Sequence, residues 1–559
     1  MSSYQARDKR IWWRDCVTYQ IYIRSFADFN GDGKGDIQGI RSRLSYLKDL
    51  GVDALWITPW YPSPQKDHGY DVADYFDIEP DYGSIADAKQ LIDETHQLGL
   101  RIIVDLVPNH SSDQHRWFQE ALQAPPHSLA RDRYIFRDGK GDNGELPPNN
   151  WSAVFGGPAW ERIIEANGKP GQWYLHLFAV EQPDFNWESA EVQQYFEKVL
   201  RFWLEIGVDG FRIDVAHGMV KAQGLPDIPE RDHSSPEMLA AQRLPFWDQD
   251  GVHDIYRKWR KILDSYQGER MAVAEAWVSP ASRIALYLRP DELANSFNFD
   301  FLTSRWDATE LRANIDLSLK AIQDVGAPAS WVFNNHDVVR SVDRFALGLQ
   351  PGKGETTAER HGDATQLDLF LGIKRARAGA LLMLALPGGA YIYQGEELTL
   401  PEVRDIPLDR LTDPRWKMSN KTDKGRDGCR VPIPWEKSPS GAYGFSENKA
   451  VTPTDSWLPQ PDGWGDYSVE VQQEDPQSSL NLYREALRIR REEIGLGDGP
   501  MNWLDYGSDV LAFSRPGNFL CLVNFGGNIE LPDGEILISS APIEDRVLPP
   551  DTALWMRSS

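Results

Sequence analysis

Residues 210–217 read GFRIDVAH, a short apolar run of Gly210, Phe211 and Ile213 that is interrupted by Arg212 and ends on Asp214. Side chains two apart on a strand share a face, so Arg212 and Asp214 project together from an otherwise buried element. Seven further short apolar runs, rich in β-branched residues, occur at 17–26, 54–60, 101–107, 271–277, 296–301, 331–337 and 390–394, with helical patterns between them. Strands that alternate with helices form parallel sheets, because each crossover returns the chain to the same end.

Eight such units predict an α/β fold, a (β/α)8 TIM barrel. The segment IRSRLSYLKDL at 40–50 puts Ile40, Leu44, Leu47 and Leu50 on one face before Gly51, which predicts a single helix. Two intervals are too long for plain crossovers: 109–184, rich in Pro, Gly, Asn and Trp, and about 396–468, of similar composition. After a last barrel helix at about 478–491, DVLAFSR and FLCLVNF flank Pro516 and Gly517 as hairpin strands. The expected division is a barrel from 1–108 and 185–495, an inserted subdomain after strand 3 at 109–184, and a C-terminal antiparallel β domain at 496–559.

With 59 Lys and Arg against 84 Asp and Glu, the net charge of -25 repels nucleic acid and anionic membranes. The 21 Trp, 20 Tyr and 22 Phe supply flat apolar faces of the kind that sugar rings stack on. The opening MSSYQARDKR has no apolar leader core, and no run approaches the ~18 apolar residues of a membrane span. Three scattered cysteines, Cys16, Cys429 and Cys521, imply neither a disulfide framework nor a zinc site. A cytoplasmic enzyme, monomeric or a small homo-oligomer, is expected. No glycine-rich phosphate loop opens a helix, which disfavours nucleotide cofactors.

Four runs end in ionisable groups: VDLVPNH (Asp105, His110), GFRIDVAH (Arg212, Asp214), VAEAW (Glu275) and FNNHD (His336, Asp337). They belong to strands three, four, five and seven, so all four open into one bowl. Any one of them alone reads as a cap or salt-bridge partner; together they read as a site. Glycoside cleavage with retention needs two carboxyls ~5–5.5 Å apart, one attacking the anomeric carbon and one protonating the leaving oxygen. Asp214 and Glu275, on adjacent strands, can meet that spacing. Arg212 can keep the nucleophile charged, and the apolar neighbours of Glu275 suit an acid.

In these four motifs the chain resembles the α-amylase family of glycoside hydrolases, with QPDFNW (182–187) and YIYQGEE (391–397) extending the match. The resemblance implies Asp214 as nucleophile, Glu275 as general acid/base and Asp337 as a third carboxylate gripping the 2- and 3-hydroxyls. DHGYDVADY (67–75), NNWSAVFGGPAW (149–160) and GRDGCRVPIPW (425–435) are similar to the α-glucosidase and oligo-1,6-glucosidase branch. By position, Asp67 and Arg430 would then pair across the blind end of the pocket, implying exo action on short oligosaccharides. Tyr70 would stack on the terminal glucose, Phe155 would line its subsite, and His110 and His336 would bond its hydroxyls. Val215, directly after the nucleophile, leans towards α-1,6 rather than α-1,4 bonds in that branch, whereas Ala216, His217, Ala276 and Trp277 depart from its pattern.

The segment ADFNGDGKGDIQG at 27–39 offers oxygens at alternate positions: Asp28, Asn30, Asp32, the Lys34 carbonyl and Asp36. It follows an EF-hand-like start, with Gly33 at the sharp turn and Gly39 where the bidentate Glu would stand. With the family resemblance this implies a structural Ca2+, with Mg2+ as an alternative occupant. The rival reactions are transglucosylation and sucrose isomerisation through the same glucosyl-Asp intermediate. A non-enzymatic transporter-associated barrel is disfavoured, because all three carboxylates are kept and no membrane anchor is found.

Overall fold

The computed structural model describes residues 11–228, 243–348 and 362–558, so the stretch 1–10 read for a leader lies outside the described residues. In chain order come β1 (Val17–Ile21), β2 (Ala54–Ile57) and β3 (Arg101–Leu106), then β4 (Phe136–Arg137), β5 (Trp160–Ile164) and β6 (Pro170–Leu175). There follow β7 (Gly210–Ile213), β8 (Met271–Ala274), β9 (Asn295–Ser296), β10 (Ser330–Val332) and β11 (Gly389–Tyr393). Eight of these form one parallel sheet in the order β10-β11-β1-β2-β3-β7-β8-β9, a nearly closed barrel. Its two end strands, β9 and β10, exchange no ladder bonds among the described residues, and the Ser330 hydroxyl donates to Asn295 Oδ1 across that seam.

Two element expectations need correction. The run 296–301 was expected to be a strand, but pairing stops at Ser296 and Phe299–Leu302 is helical. Asn298 is the cause: its side chain accepts from the Phe301 N–H at 3.0 Å and caps that turn. Instead of one helix at 40–50 there are two, Ile37–Ser42 and Leu44–Leu50, broken where Arg43 leaves helical geometry at φ -110°, ψ 8°. The anticipated face survives the break, since Ile40, Leu44, Leu47 and Leu50 are all buried and Gly51 ends the second helix at φ 98°.

Strands β4, β6 and β5 make a small antiparallel sheet within 109–184, over an apolar cluster centred on Trp151, Trp160 and Leu175. The Trp160 indole N–H donates to Asn149 Oδ1 at 2.6 Å, which explains why NNW sits among these large rings. Beyond the helix Ser479–Glu492 come β12 (Asn502–Leu504), β13 (Val510–Arg515), β14 (Phe519–Asn524), β15 (Ile529–Glu530), β16 (Gly534–Ser539), β17 (Val547–Leu548) and β18 (Thr552–Ser558). Five of them form an antiparallel sheet ordered β12-β13-β14-β18-β16. Among the described residues, no helix is long and apolar enough to cross a membrane.

Candidate active site

Ladder register builds the centre of the site. Leu106 pairs with Ile213 and Ile213 with Ala274, so the next residues on the middle and outer strands, Asp214 and Glu275, leave neighbouring strand ends at one level. Asp214 N donates to Leu106 O at 2.9 Å and Glu275 N to Ile213 O at 3.0 Å, which extends the ladder by one rung and fixes both main chains. Strands pair at ~4.8 Å, so two such side chains meet above the barrel mouth.

Arg212 lies beneath them, fully buried. Its guanidinium donates to Asp105 Oδ1 at 2.8 Å, Asp214 Oδ1 at 2.6 Å and Glu275 Oε2 at 2.7 Å. Asp105 also accepts from Trp56 and Tyr70, each at 3.1 Å, and burial pushes its carboxyl up to about 6 against the pull of Arg212. Burial likewise raises the Asp214 carboxyl well above its ordinary range, Arg212 draws it back, and the charge of Glu275 pushes it up again. Arg212 thus bridges the Asp214 and Glu275 carboxyls, one guanidinium nitrogen to each.

Val215 adopts φ 45°, a left-handed conformation that is rare for a β-branched residue. That turn aims its N–H at Glu275 Oε2, 3.1 Å away, and lets Ala216 N reach Glu275 O at 2.8 Å. The strain sits next to the proposed nucleophile, where such conformations concentrate in functional sites.

A cavity of about 340 Å3 opens above the pair, within the roughly 300–1,000 Å3 of ligand clefts. Asp67, Tyr70, His110, Phe155, Asp214, Glu275, His336 and Asp337 all line it. Tyr70 lies parallel to His336 with ring centres 5.3 Å apart. Gln20 donates to His336 Nδ1 at 2.7 Å, so the proton of the neutral imidazole is on Nε2, 3.3 Å from Asp337 Oδ2. Burial holds His336 well below its ordinary value and pulls His110 down to about 4. His110 is already engaged by the protein, Nε2 with Tyr70 O and Nδ1 with Asn109, each at 3.1 Å.

The blind end differs from the expected pairing. Asp67 is paired with Arg426, at 2.9 Å, not with Arg430. Arg426 also meets Asp337 at 2.9 Å and Asp413 at 2.6 Å, so one guanidinium clamps three carboxylates. Arg430 is spent behind the wall, with Nε on His336 O at 2.7 Å and Nη2 on Asp337 at 2.9 Å. The reason is local: Asp427–Arg430 is a 3-10 turn preceded by Arg426, and both guanidinium groups meet Asp337 Oδ1, but Arg426 extends on to Asp67 whereas Arg430 turns back to the His336 carbonyl. Phe155 lies under Arg426, 5.3 Å from ring centre to guanidinium carbon. Burial disfavours charge on Asp337, but His336, Arg426 and Arg430 outweigh it and hold the carboxyl below the usual range.

Residues absent from the sequence-derived set also line the cavity: Arg426, His217, Trp247 and Trp277. Arg426 stands in the same GRDGCR motif as Arg430, and spacing alone does not separate them. Trp247 belongs to no motif and lines the cavity beside His217, ring centres 4.6 Å apart and tilted by 35°.

The loop at 28–36 is closed by its own side chains. Asp28 accepts from Gly31 N at 2.7 Å and Gly33 N at 2.9 Å, Asn30 from Asp32 N and Asp32 from Lys34 N at 2.9 Å each, and Asp36 caps the following helix through Gly39 N at 2.7 Å. Gly33 is required there: its φ is 86° and a Cβ would lie 2.7 Å from Asp455 O. Among the described residues, no three His, Cys, Asp or Glu side chains gather to hold a metal, so a cation at this loop would depend on amide and main-chain oxygens as well.

Residues 20–499 match the alpha amylase catalytic domain family. The chain is 37% identical over 540 residues to a probable alpha-glucosidase of Rhizobium meliloti (strain 1021), covering 92% of this chain and 89% of that protein. It is 35% identical over 516 residues to an oligo-1,6-glucosidase of Parageobacillus thermoglucosidasius, with 87% and 84% covered. Among solved structures, the alpha-glucosyl transfer enzyme XgtA superposes with TM-score 0.81 at 33% identity, and the trehalulose synthase MutB from Pseudomonas mesoacidophila MX-45 with 0.82 at 29%, each covering 98% of this chain and 99% of the other. With its motifs, barrel and relatives in agreement, the chain belongs to the α-amylase family of glycoside hydrolases.

Proposed function

We propose that this protein is a retaining, exo-acting α-glucosidase that removes terminal glucose from short oligosaccharides. One observation carries the reading: two carboxyls on adjacent strands, bound by one arginine, at the floor of a cavity whose far end is closed by the Asp67–Arg426–Asp337 clamp. Asp214 attacks the anomeric carbon while Glu275 passes its proton to the departing glycosidic oxygen, leaving a glucosyl-Asp ester. Water then attacks the ester as Glu275 takes a proton from it, and Asp214 leaves as carboxylate. Asp337 and the Nε2–H of His336 are placed to hold ring hydroxyls, and Tyr70 to face the ring. The closed end admits a chain terminus and no sugar beyond it.

The alternative outcome, in which a sugar hydroxyl takes the place of water, draws support from the two solved structures of the same fold, one an alpha-glucosyl transfer enzyme and one a trehalulose synthase. The loop at 28–36 is proposed to bind Ca2+, or Mg2+ in its place, through Asp28, Asn30, Asp32, the Lys34 carbonyl and Asp36. A cytoplasmic location is part of the proposal and is supported by three buried cysteines, none of them paired.

Initial rates on sucrose, maltose, isomaltose, trehalose and longer malto-oligosaccharides, with the anomer of the first product followed, test the reading. Release of α-glucose from chain ends is expected. An inverted first product, or turnover undiminished in Asp214→Asn, overturns it. Product analysis at high substrate concentration separates hydrolysis from transfer.

A further inference from the structure

Glu275 uses its two oxygens differently. Oε2 accepts from Arg212 at 2.7 Å and from the Val215 N–H at 3.1 Å, so Oε1 is the oxygen left to hand a proton to a leaving group. At Oε1 stands the indole N–H of Trp277, 3.3 Å away. Trp277 is 44% exposed at the cavity rim, yet its plane is fixed by a face-to-face stack on Phe299, ring centres 3.7 Å apart and tilted by 16°. Phe299 in turn opens the short helix that Asn298 caps. An exposed Trp held so firmly, with its only donor on the acid, has a task beyond packing.

We propose that Trp277 is a positioning residue for the acid/base, which aims Oε1 into the cavity and favours its unprotonated form; this rests on the role assigned to Glu275 above. An indole N–H donates and never accepts, so it bonds best to the carboxylate and is disfavoured when Oε1 carries the proton. That preference serves the second half of the reaction, in which Glu275 must accept a proton from water, and it works against the first half. The other charged or titratable groups near Glu275 are Arg212 and Asp214 from the end of β7, His110 and His217, which line the same cavity or lie beneath it. Burial pulls both histidines down to about 4, so they carry no charge near neutral pH.

The test is the pH profile. Trp277→Phe keeps a ring on Phe299 and deletes the donor to Oε1, so the acid/base should hold its proton to higher pH. The alkaline limb of kcat/KM should rise by roughly 0.4–1 unit, the net worth of one hydrogen bond. Phe299→Leu keeps the donor and loosens the stack, and should move the limb in the same direction by less. Incorporated 5-fluorotryptophan supplies a readout without turnover: the 19F resonance lost in W277F should titrate in the wild type and cease to titrate in E275Q. An unmoved limb in W277F, whatever happens to the rate, or a resonance indifferent to E275Q, overturns the proposal. Absence of glucoside turnover by the wild type alongside an intact 19F titration would defeat the glucosidase reading and leave the proposal standing.

Discussion

Arg212 binds three carboxylates at once, and Asp337 receives two arginines and faces the Nε2 of a neutral His336. Charges so deeply buried persist only because each has partners. The depressed carboxyl of Asp337 therefore contributes stability above the ~3.9 of an unfolded Asp, and that contribution is lost as pH falls towards its folded value. Asp337→Asn should cost about 2 kcal/mol near neutral pH, with the gap to wild type narrowing below about pH 4. Urea titrations at pH 7 and pH 3 check this, and a gap that widens in acid contradicts it. At Val215 the strained main chain and the side chain are separable. Val215→Thr keeps a β-branched residue at φ 45° but adds a hydroxyl at the cavity wall. It should shift the maltose to isomaltose rate ratio several-fold towards maltose, and equal ratios would remove Val215 as a determinant. The carboxylates Asp214, Glu275 and Asp337 were legible because they end several strands of one barrel together, where any one of them alone would read as a cap or salt-bridge partner.

At the scale of the element, the turn Asp427–Arg430 decides the shape of the pocket. Its preceding residue, Arg426, reaches Asp67, Asp337 and Asp413, so the turn and three separate loops close together. Arg426→Ala should raise KM by roughly 10- to 100-fold with a smaller change in kcat, because it opens the far wall of the cavity and frees Asp67 and Asp337 without touching the Asp214–Glu275 pair. Steady-state kinetics on a short oligosaccharide checks this, and a loss confined to kcat would place Arg426 elsewhere in the mechanism. The sequence motif pointed to the turn but to the wrong arginine. In a helix a spacing of four keeps two side chains on one face, whereas in a 3-10 turn entered from an irregular loop it does not. Strand β9 shows the same limit: an apolar run of six residues read as a strand, and one capping Asn converted most of it to a turn of helix.

For the whole molecule, the loop after β1 is a junction as well as a candidate cation site. Asp28 N bonds Phe445 O at 2.8 Å, Glu447 N bonds Asp28 O at 2.9 Å and Trp457 N bonds Gly33 O at 2.9 Å, so the loop ties the start of the barrel to the long segment after β11. A cation there would fasten two parts of the chain more than 400 residues apart without touching Asp214 or Glu275. Chelation should lower Tm by a few degrees, with kcat at moderate temperature retained. Calorimetry with and without EDTA, followed by readdition of Ca2+, checks this, and identical melting curves remove the metal from the account.

What the sequence determined by itself is the barrel and the carboxylates at its strand ends, because both are written in short-range terms: period-two apolar runs, helical spacing, and charge at strand ends. Tertiary structure alone decided which arginine meets Asp67, that His217, Trp247 and Trp277 line the cavity with Glu275, and that β9 and β10 meet through side chains. Each of those depends on contacts between segments far apart in the chain, whose approach is fixed by packing and carries no local periodicity to read.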